Sequence, residues 1–341
     1  MRARWPFSLL LSAVVLMVDT PAHGQVLEVV GTIRGPASTV SVYETRAFVS
    51  HGQTLRIFDI AVPTNPTLLG SFTFPQDVRG VAVAGSVVFA AMDFSGLGIL
   101  DVSNPATPEL LSSYDTPGQA LSVAVSQSTS TVAVANRLSG LEVIDVTNPA
   151  VPVFRGTYFT EGYAVDVETS GSFAYVTDTP GGLSVIDLSQ TGDLAAVGNQ
   201  GVASPSAAVA VSGVLVGLMG ANSQLELFDV SNPSTPVSVG TYSDPERERA
   251  AFAGAAATIG LVRVRMQDSL AFLTDTYPPF TLQVVDVGNP AAPTLVTSYE
   301  PGGAPQDLAV SGSLVFLAVR DVGAGDTDPP PPGVLILRLR P

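Results

Sequence analysis

Residues Gly80 to Pro117 read GVAVAGSVVFAAMDFSGLGILDVSNPATPELLSSYDTP. Val81 and Val83 alternate with neighbours, Gly85-Ser86 makes a turn, and a second apolar run spans Val87 to Ala91. A glycine turn at Gly96 precedes a third run, Leu97 to Asp101, and the Val-Ser-Asn-Pro that follows leads past Pro108 to a fourth, Leu110 to Tyr114. Four short β-rich runs set off by Gly, Asn and Pro predict a four-stranded antiparallel meander.

The third run is one copy of a pattern, Leu-x-apolar-apolar-Asp, that recurs along the chain. It reads LRIFD to Asp59, LGILD to Asp101, LEVID to Asp145, LSVID to Asp187, LELFD to Asp229 and LQVVD to Asp286, with Asp-to-Asp spacings of 42, 44, 42, 42 and 57. A weaker seventh copy, VLILR, ends at Arg338, 52 residues further on. A period of about 42 residues per four-stranded unit is that of a propeller blade, so the expected fold is all-β, a seven-bladed β-propeller. The seventh unit lacks a fourth strand after its motif, whereas Leu27 to Gly35 (LEVVGTIRG) resembles the fourth-strand stretches TLLGSFTFP, VFRGTYFTE and VSVGTYSDP. The N-terminal strand is therefore expected to complete the last blade and remove an open sheet edge.

An Asp repeated in six blades reads as architecture before it reads as chemistry. Asp59, Asp101, Asp145, Asp187, Asp229 and Asp286 each end an apolar row and precede a turn whose backbone N–H groups are within local reach, as in Asx turns. Loss of such an acceptor, as in Asp145→Ala, is expected to cost about 1 to 3 kcal/mol.

Composition narrows the function. The 341 residues are 46% hydrophobic and 13% charged, which describes a globular chain. Every basic residue is Arg, and 15 of them against 30 acidic residues give a formal charge of -15. Such a surface is unsuited to nucleic acid, whose binding needs a positive patch, or to an anionic membrane. Cys is absent, which excludes disulfides, thiolate nucleophiles and Cys-ligated metals.

Arg2 and Arg4, the apolar run Phe7 to Val18 and the small residues up to Gly24 have the three-part layout of a secretory signal peptide. We expect residues 1–24 to be such a leader and 25–341 to form one propeller domain, secreted, periplasmic or at the cell surface. Removal of the leader takes away Trp5 and His23, leaving His51 as the sole His. It lies in a Ser-His-Gly-Gln stretch and reads as chemically idle, so His-based triads and multi-His metal sites are not expected.

The motif and its Asp-Val-Ser-Asn-Pro-x-x-Pro continuation resemble the LVIVD repeat family, most closely at Asp101 to Pro108, Asp145 to Pro152 and Asp229 to Pro236. The resemblance spans Leu27 to Pro341 and implies a β-propeller in a secreted or surface setting, with no reaction attached. Blade four departs, with Ser189-Gln190-Thr191-Gly192 in the turn, and its AYVTDTPGGLSVID is similar to YVTN-type propellers. WD40 and kelch patterns need Trp signatures that the chain after residue 24 cannot supply.

Function in a propeller is expected on the loops around the channel mouth. The two long spacings place insertions there, Ser243 to Gly260 and Arg320 to Gly333. Asp321, Asp326 and Asp328 in the second offer a weak calcium site that matches neither the EF-hand loop nor the Gly-Gly-x-Gly-x-Asp calcium repeat; otherwise no cofactor is expected. Aligned inner strands give Thr39, Gly80, Ser122, Asp166, Ala208, Arg263 and Asp307 at one level, where Asp166, Arg263 and Asp307 would form a mixed-charge patch able to orient a polar ligand. The competing role for that patch is salt bridging between blades. Arg137, Asp178, Tyr277, Phe280 and Arg320 fall in the loops above it.

The leading expectation is a monomeric, noncatalytic binding or scaffold protein of bacterial type that holds a protein or glycan partner on the insertion-bearing face, with no membrane insertion after cleavage. The alternative is a polysaccharide hydrolase or lyase using Asp166 and Asp307 as acid and base, which need carboxylates about 5 to 10 Å apart.

Overall fold

Each repeat folds into one blade. The computed structural model describes residues 25–179, 181–202, 205–220, 224–244, 263–275, 280–320 and 333–340. Blade 1 is β2 (Thr39–Tyr43), β3 (Arg46–His51), β4 (Thr54–Asp59) and β5 (Thr67–Thr73), each antiparallel to the next. Blade 2 repeats this as β6 (Gly80–Ala84), β7 (Val87–Ala91), β8 (Leu97–Asp101) and β9 (Glu109–Tyr114), and blade 3 as β10 (Ser122–Ser126), β11 (Thr131–Ala135), β12 (Leu141–Asp145) and β13 (Val153–Tyr158). Blade 4 is β14 (Tyr163–Ser170), β15 (Phe173–Thr179), β16 (Gly182–Asp187) and β18 (Ala196–Gln200), after the two-residue β17 (Gly192–Asp193). Blade 5 is β19 (Ser206–Ser212), β20 (Leu215–Gly220), β21 (Leu225–Asp229) and β22 (Val237–Tyr242). Blade 6 is β23 (Arg263–Gln267), β24 (Leu270–Thr274), β25 (Leu282–Asp286) and β26 (Thr294–Tyr299).

Blade 7 draws its strands from both ends of the chain: β27 (Ala304–Ser311), β28 (Leu314–Arg320) and β29 (Val334–Arg340) are followed outward by β1 (Val26–Ile33). Leu27 pairs with Leu339 and Ile33 with Val334, as the sequence reading expects. Arg338 takes the Asp place of the motif because β29 does not turn there; it runs on to Arg340, whose guanidinium pairs with Glu28.

The motif strands are buried on both faces, because a blade packs on two neighbours. Leu55 and Ile57 of blade 1 join Val88, Ala90 and Leu100 of blade 2, whereas Phe58 and Ile60 join Phe316 and Ile336 of blade 7. The other blades do the same, and the core is seven apolar clusters, each spanning one blade interface.

All six motif Asp residues cap the following turn. One carboxylate oxygen accepts the backbone N–H two residues on: Ala61 for Asp59, Ser103 for Asp101, Thr147 for Asp145, Ser189 for Asp187, Ser231 for Asp229 and Gly288 for Asp286, at 2.8 to 2.9 Å. The Thr147 and Ser231 N–H groups hold the carboxyls of Asp145 and Asp229 below the usual range. At Asp187 burial pushes the other way, yet the N–H and hydroxyl of Ser189 prevail. The Asp145 carboxylate is 34% exposed, so water replaces part of what its loss removes. We therefore expect Asp145→Ala to cost about 1 kcal/mol, the low end of the range set by sequence, read as a shift in denaturation midpoint. An unchanged midpoint would refute the capping role.

The capped turn also joins blades. In all seven blades the outer strand carries a one-residue bulge, at Val30, Leu69, Leu111, Arg155, Val197, Val239 and Val296. The next residue is Gly31, Gly70, Ser112, Gly156, Gly198, Gly240 or Thr297. A Cβ at Gly31 would collide with the carbonyl oxygen of Pro63, at Gly70 with Pro105, at Gly198 with Pro233 and at Gly240 with Pro290, each from the motif turn of the following blade. Ser112 meets the same carbonyl differently, its hydroxyl donating to Pro149 O at 2.6 Å.

Blade 4, whose turn lacks the Ser-Asn-Pro, docks by another route. Its β17 pairs in parallel with β13 through Gly156 and Thr157, making a fifth strand on blade 3. The Arg155 guanidinium donates to Gln190 O and Ser189 O and reaches Asp145 at 3.3 Å.

Candidate functional site

The seven inner strands surround a channel whose cavity is about 380 Å³. The aligned level holds in the structure, since Thr39, Gly80, Ser122, Asp166, Ala208, Arg263 and Asp307 each pair with the equivalent residue of their second strand. Asp166, Arg263 and Asp307 all line the cavity.

Both carboxylates bridge blades. Asp166 Oδ1 accepts the Ser122 hydroxyl of blade 3 at 2.6 Å, and Oδ2 accepts the Val209 N–H of blade 5 at 3.1 Å. Asp307 Oδ2 accepts the Val40 N–H of blade 1 at 3.0 Å, and Oδ1 faces Arg263 Nε of blade 6 at 3.5 Å. The acceptors thus serve N–H groups on the inner edges of the next strands, which have no sheet partner on the channel side. Each Asp is 7% exposed.

Two positions deeper on the same strands the level reads Ser41, Ala82, Ala124, Glu168, Ala210, Arg265 and Ala309. Five of the seven are small, and all of these but Ala210 line the cavity beside the one carboxyl and one guanidinium. Arg265 Nη1 donates to Val264 O at 2.9 Å, and Nη2 stands 3.9 Å from Asp307 Oδ1. Burial pushes the Glu168 carboxyl up to about 7, helped by Asp166 and Asp307 and opposed by Arg265. Burial disfavours the Arg265 charge, but Glu168, Asp307 and Asp166 together raise its pKa. Sequence reasoning missed Glu168 and Arg265. The two-residue period along each aligned strand is the signal that finds them.

The remaining candidates do not join this cluster. Arg137, exposed at positive φ in the β11–β12 turn, donates to Gln119 Oε1 at 2.8 Å and lies 5.4 Å from the Tyr163 ring centroid. Arg320 is exposed at the end of β28. Asp178 accepts the N–H groups of Glu161 and Gly162, closing its own blade's loop. His51 is exposed at the end of β3, its Nδ1 3.0 Å from the Ser38 hydroxyl. Tyr277, the calcium candidates Asp321, Asp326 and Asp328, the leader 1–24 and nearly all of both insertions lie outside the described residues. Among the described residues no three His, Cys, Asp or Glu side chains group as a metal site would require.

A family model described as the LVIVD repeat matches residues 34–73, 75–116, 117–160, 161–200, 208–244 and 281–300. No curated protein matches the sequence. Among solved structures, the β-propeller domain of Myceliophteria thermophila Cps50 (Swd1) superposes with a TM-score of 0.72 at 13% identity, covering 92% of this chain and all of that one. The WD40 repeats of RRP9 give 0.68 at 11% identity, over 94% of this chain and 99% of theirs. The computationally designed Ika8 protein gives 0.63 at 10% identity, over 91% and 99%. At such identities the likeness is one of fold.

Proposed function

Because this chain belongs to the LVIVD repeat family and its blades close into a seven-membered ring, we propose that it is a noncatalytic binding scaffold, secreted or at the cell surface, which holds a protein or glycan partner on one face of the propeller. The observation that carries this is topological. The connection from β22 to β23 and that from β28 to β29 hold the two insertions, and both leave the ring at the channel end that also bears Arg137 and Arg320. Loops lengthened on one face of a rigid ring are where propellers gain recognition surface without disturbing the blades. Arg beside an exposed aromatic, as Arg137 is beside Tyr163, suits such a surface.

The hydrolase alternative asks Asp166 and Asp307 to act as acid and base. Their commitment to Ser122, Val209, Val40 and Arg263 counts against it, because a carboxylate holding blades together is not available to exchange protons with substrate.

The test is a glycan array and a peptide library probed with the intact protein and with a variant whose two insertions are cut to the length of the corresponding turns in blades 2 and 3. We expect one ligand class to bind the intact protein and to lose at least tenfold in affinity, about 1.4 kcal/mol, in the shortened variant with its circular dichroism retained. Equal binding by the two proteins, or no binding by either, would overturn the proposal.

A further inference from the structure

One carboxylate oxygen in the channel has no proper donor. Asp307 Oδ1 is fully buried and accepts no hydrogen bond among the described residues; the guanidinium groups of Arg263 and Arg265 stop short at 3.5 and 3.9 Å. Oδ2 of the same group is well bonded to Val40 N–H at 3.0 Å, so the side chain is held in place while Oδ1 faces both guanidiniums. Glu168 across the same cavity makes no hydrogen bond or ion pair with any described residue, although its charge and that of Arg265 feel one another. Glu168 and Arg265 are both partly exposed to the channel, the Arg265 side chain by 29%. Here a positive and a negative group face a common space with the pairing left incomplete.

The charge count selects the occupant. Among the described residues Arg263 and Arg265 bring two positive charges, Asp166 and Asp307 two negative ones, and Glu168 a third that comes and goes near neutral pH. The other inner strands bring no charged side chain to either level, and the nearby Arg79 is paired with Asp93 at 2.7 Å. A simple anion is repelled by the carboxylates, and a simple cation by the guanidiniums. A molecule carrying both charges, a few ångströms apart, completes both sides. A cavity near the lower end of the range for small-molecule sites suits a ligand of amino-acid size.

We propose that the channel binds a small zwitterion of the α-amino acid class, its carboxylate taken by the Arg265 guanidinium beside Arg263 and its ammonium by Glu168. Binding by the channel does not depend on the loop-face reading, since Glu168 and Arg265 sit on inner strands. The variant with shortened insertions keeps the site.

Isothermal titration of the intact protein with the common amino acids and γ-aminobutyrate, against succinate, putrescine and glucose as single-charge-type and neutral controls, tests it. A zwitterion is expected to bind with a Kd below about 1 mM, well ahead of all three controls. Its ammonium draws Glu168 into the ionised form, so at pH 7 binding releases about half a proton, read from titrations in two buffers of different ionisation enthalpy. Glu168→Gln abolishes the proton release and weakens binding at least tenfold, and Arg265→Gln weakens it as much while the release per ligand bound persists and grows, because loss of the opposing guanidinium leaves Glu168 more protonated. No zwitterion binding below about 10 mM would overturn the proposal, as would a control that binds equally well, or unchanged affinity in Glu168→Gln.

Discussion

Gly70→Val is expected to remove about 3 to 5 kcal/mol of stability, enough to leave much of the chain unfolded at 37 °C. The first Cβ atom would already overlap the carbonyl oxygen of Pro105, so the outer strand of blade 1 or the motif turn of blade 2 must move. Neither moves cheaply. The turn is fixed by Ser103 N–H on Asp101 at 2.8 Å, by Ala106 N–H on Asn104 Oδ1 at 3.3 Å and by Thr107 N–H on Asn104 O at 3.1 Å. The strand is held by the register Ile57 to Gly70 on one side of the Leu69 bulge and Phe58 to Leu68 on the other. Overpacking against rigid backbone costs more than overpacking among side chains, which can change rotamer. Gly201→Ala is the control, because its Cβ would meet nothing within 4 Å. Chemical denaturation of both variants decides the matter: a Gly70→Val loss below about 1 kcal/mol would show that the contact between blades yields.

Glu168→Gln should stabilise the protein at pH 8 by about 1 to 3 kcal/mol and leave it unchanged near pH 4. The sign follows from the direction of the shift. A free Glu ionises near pH 4.3, but in the channel burial delays ionisation to about pH 7. Between those values the folded state holds a proton that the unfolded chain has released, so stability falls as pH rises, and above about pH 7 the whole penalty is present. Gln imitates the protonated acid at every pH and escapes the loss. The turn-capping Asp145, Asp187 and Asp229 act in the opposite sense: their carboxyls lie below the usual range, and the stability they add disappears as pH drops through their folded-state values. The wild-type protein should therefore be most stable on the acid side of neutrality. Midpoints measured from pH 3 to 9 for the two proteins check this, and parallel curves would refute it.

The fold was readable because the period that sets it is local. Leu, an apolar pair and Asp recur within five residues, and the spacing of copies reports the blade without reference to the rest of the chain. The exchange of the seventh fourth strand was readable for the same reason, since LEVVGTIRG looks like its counterparts. The glycine inside those stretches was visible as well, but its purpose was not, because its partner is the Pro63, Pro105, Pro233 or Pro290 carbonyl of the next blade. The SQTG turn of blade 4 departs from the repeat; in space its glycine opens β17, which pairs with β13. At the channel, alignment found Asp166, Arg263 and Asp307. It did not reveal that Asp166 and Asp307 receive inner-edge N–H groups of the neighbouring blades, because a contact between strands 43 residues or more apart leaves no trace in either strand alone.

The pairing of Leu27 with Leu339 has a consequence for the order of assembly. Every other strand pair in the ring joins near neighbours in sequence, so six blades can mature while the chain is still lengthening. Joining β1 to β29 closes a loop that runs from Val26 to Arg340 and spans all seven blades. Loop-closure entropy grows only with the logarithm of length, so this step costs about 2 kcal/mol more than closing a single repeat. The thermodynamic burden is small, but the sequence separation of that pairing is the largest among the described strand pairs, and such contacts form late. Until β29 has been made, β1 has no partner strand and the last blade stays incomplete. The ring is then a clasp that locks once, when β29 is in place, and a chain lacking β29 would hold its blades without ever fastening them.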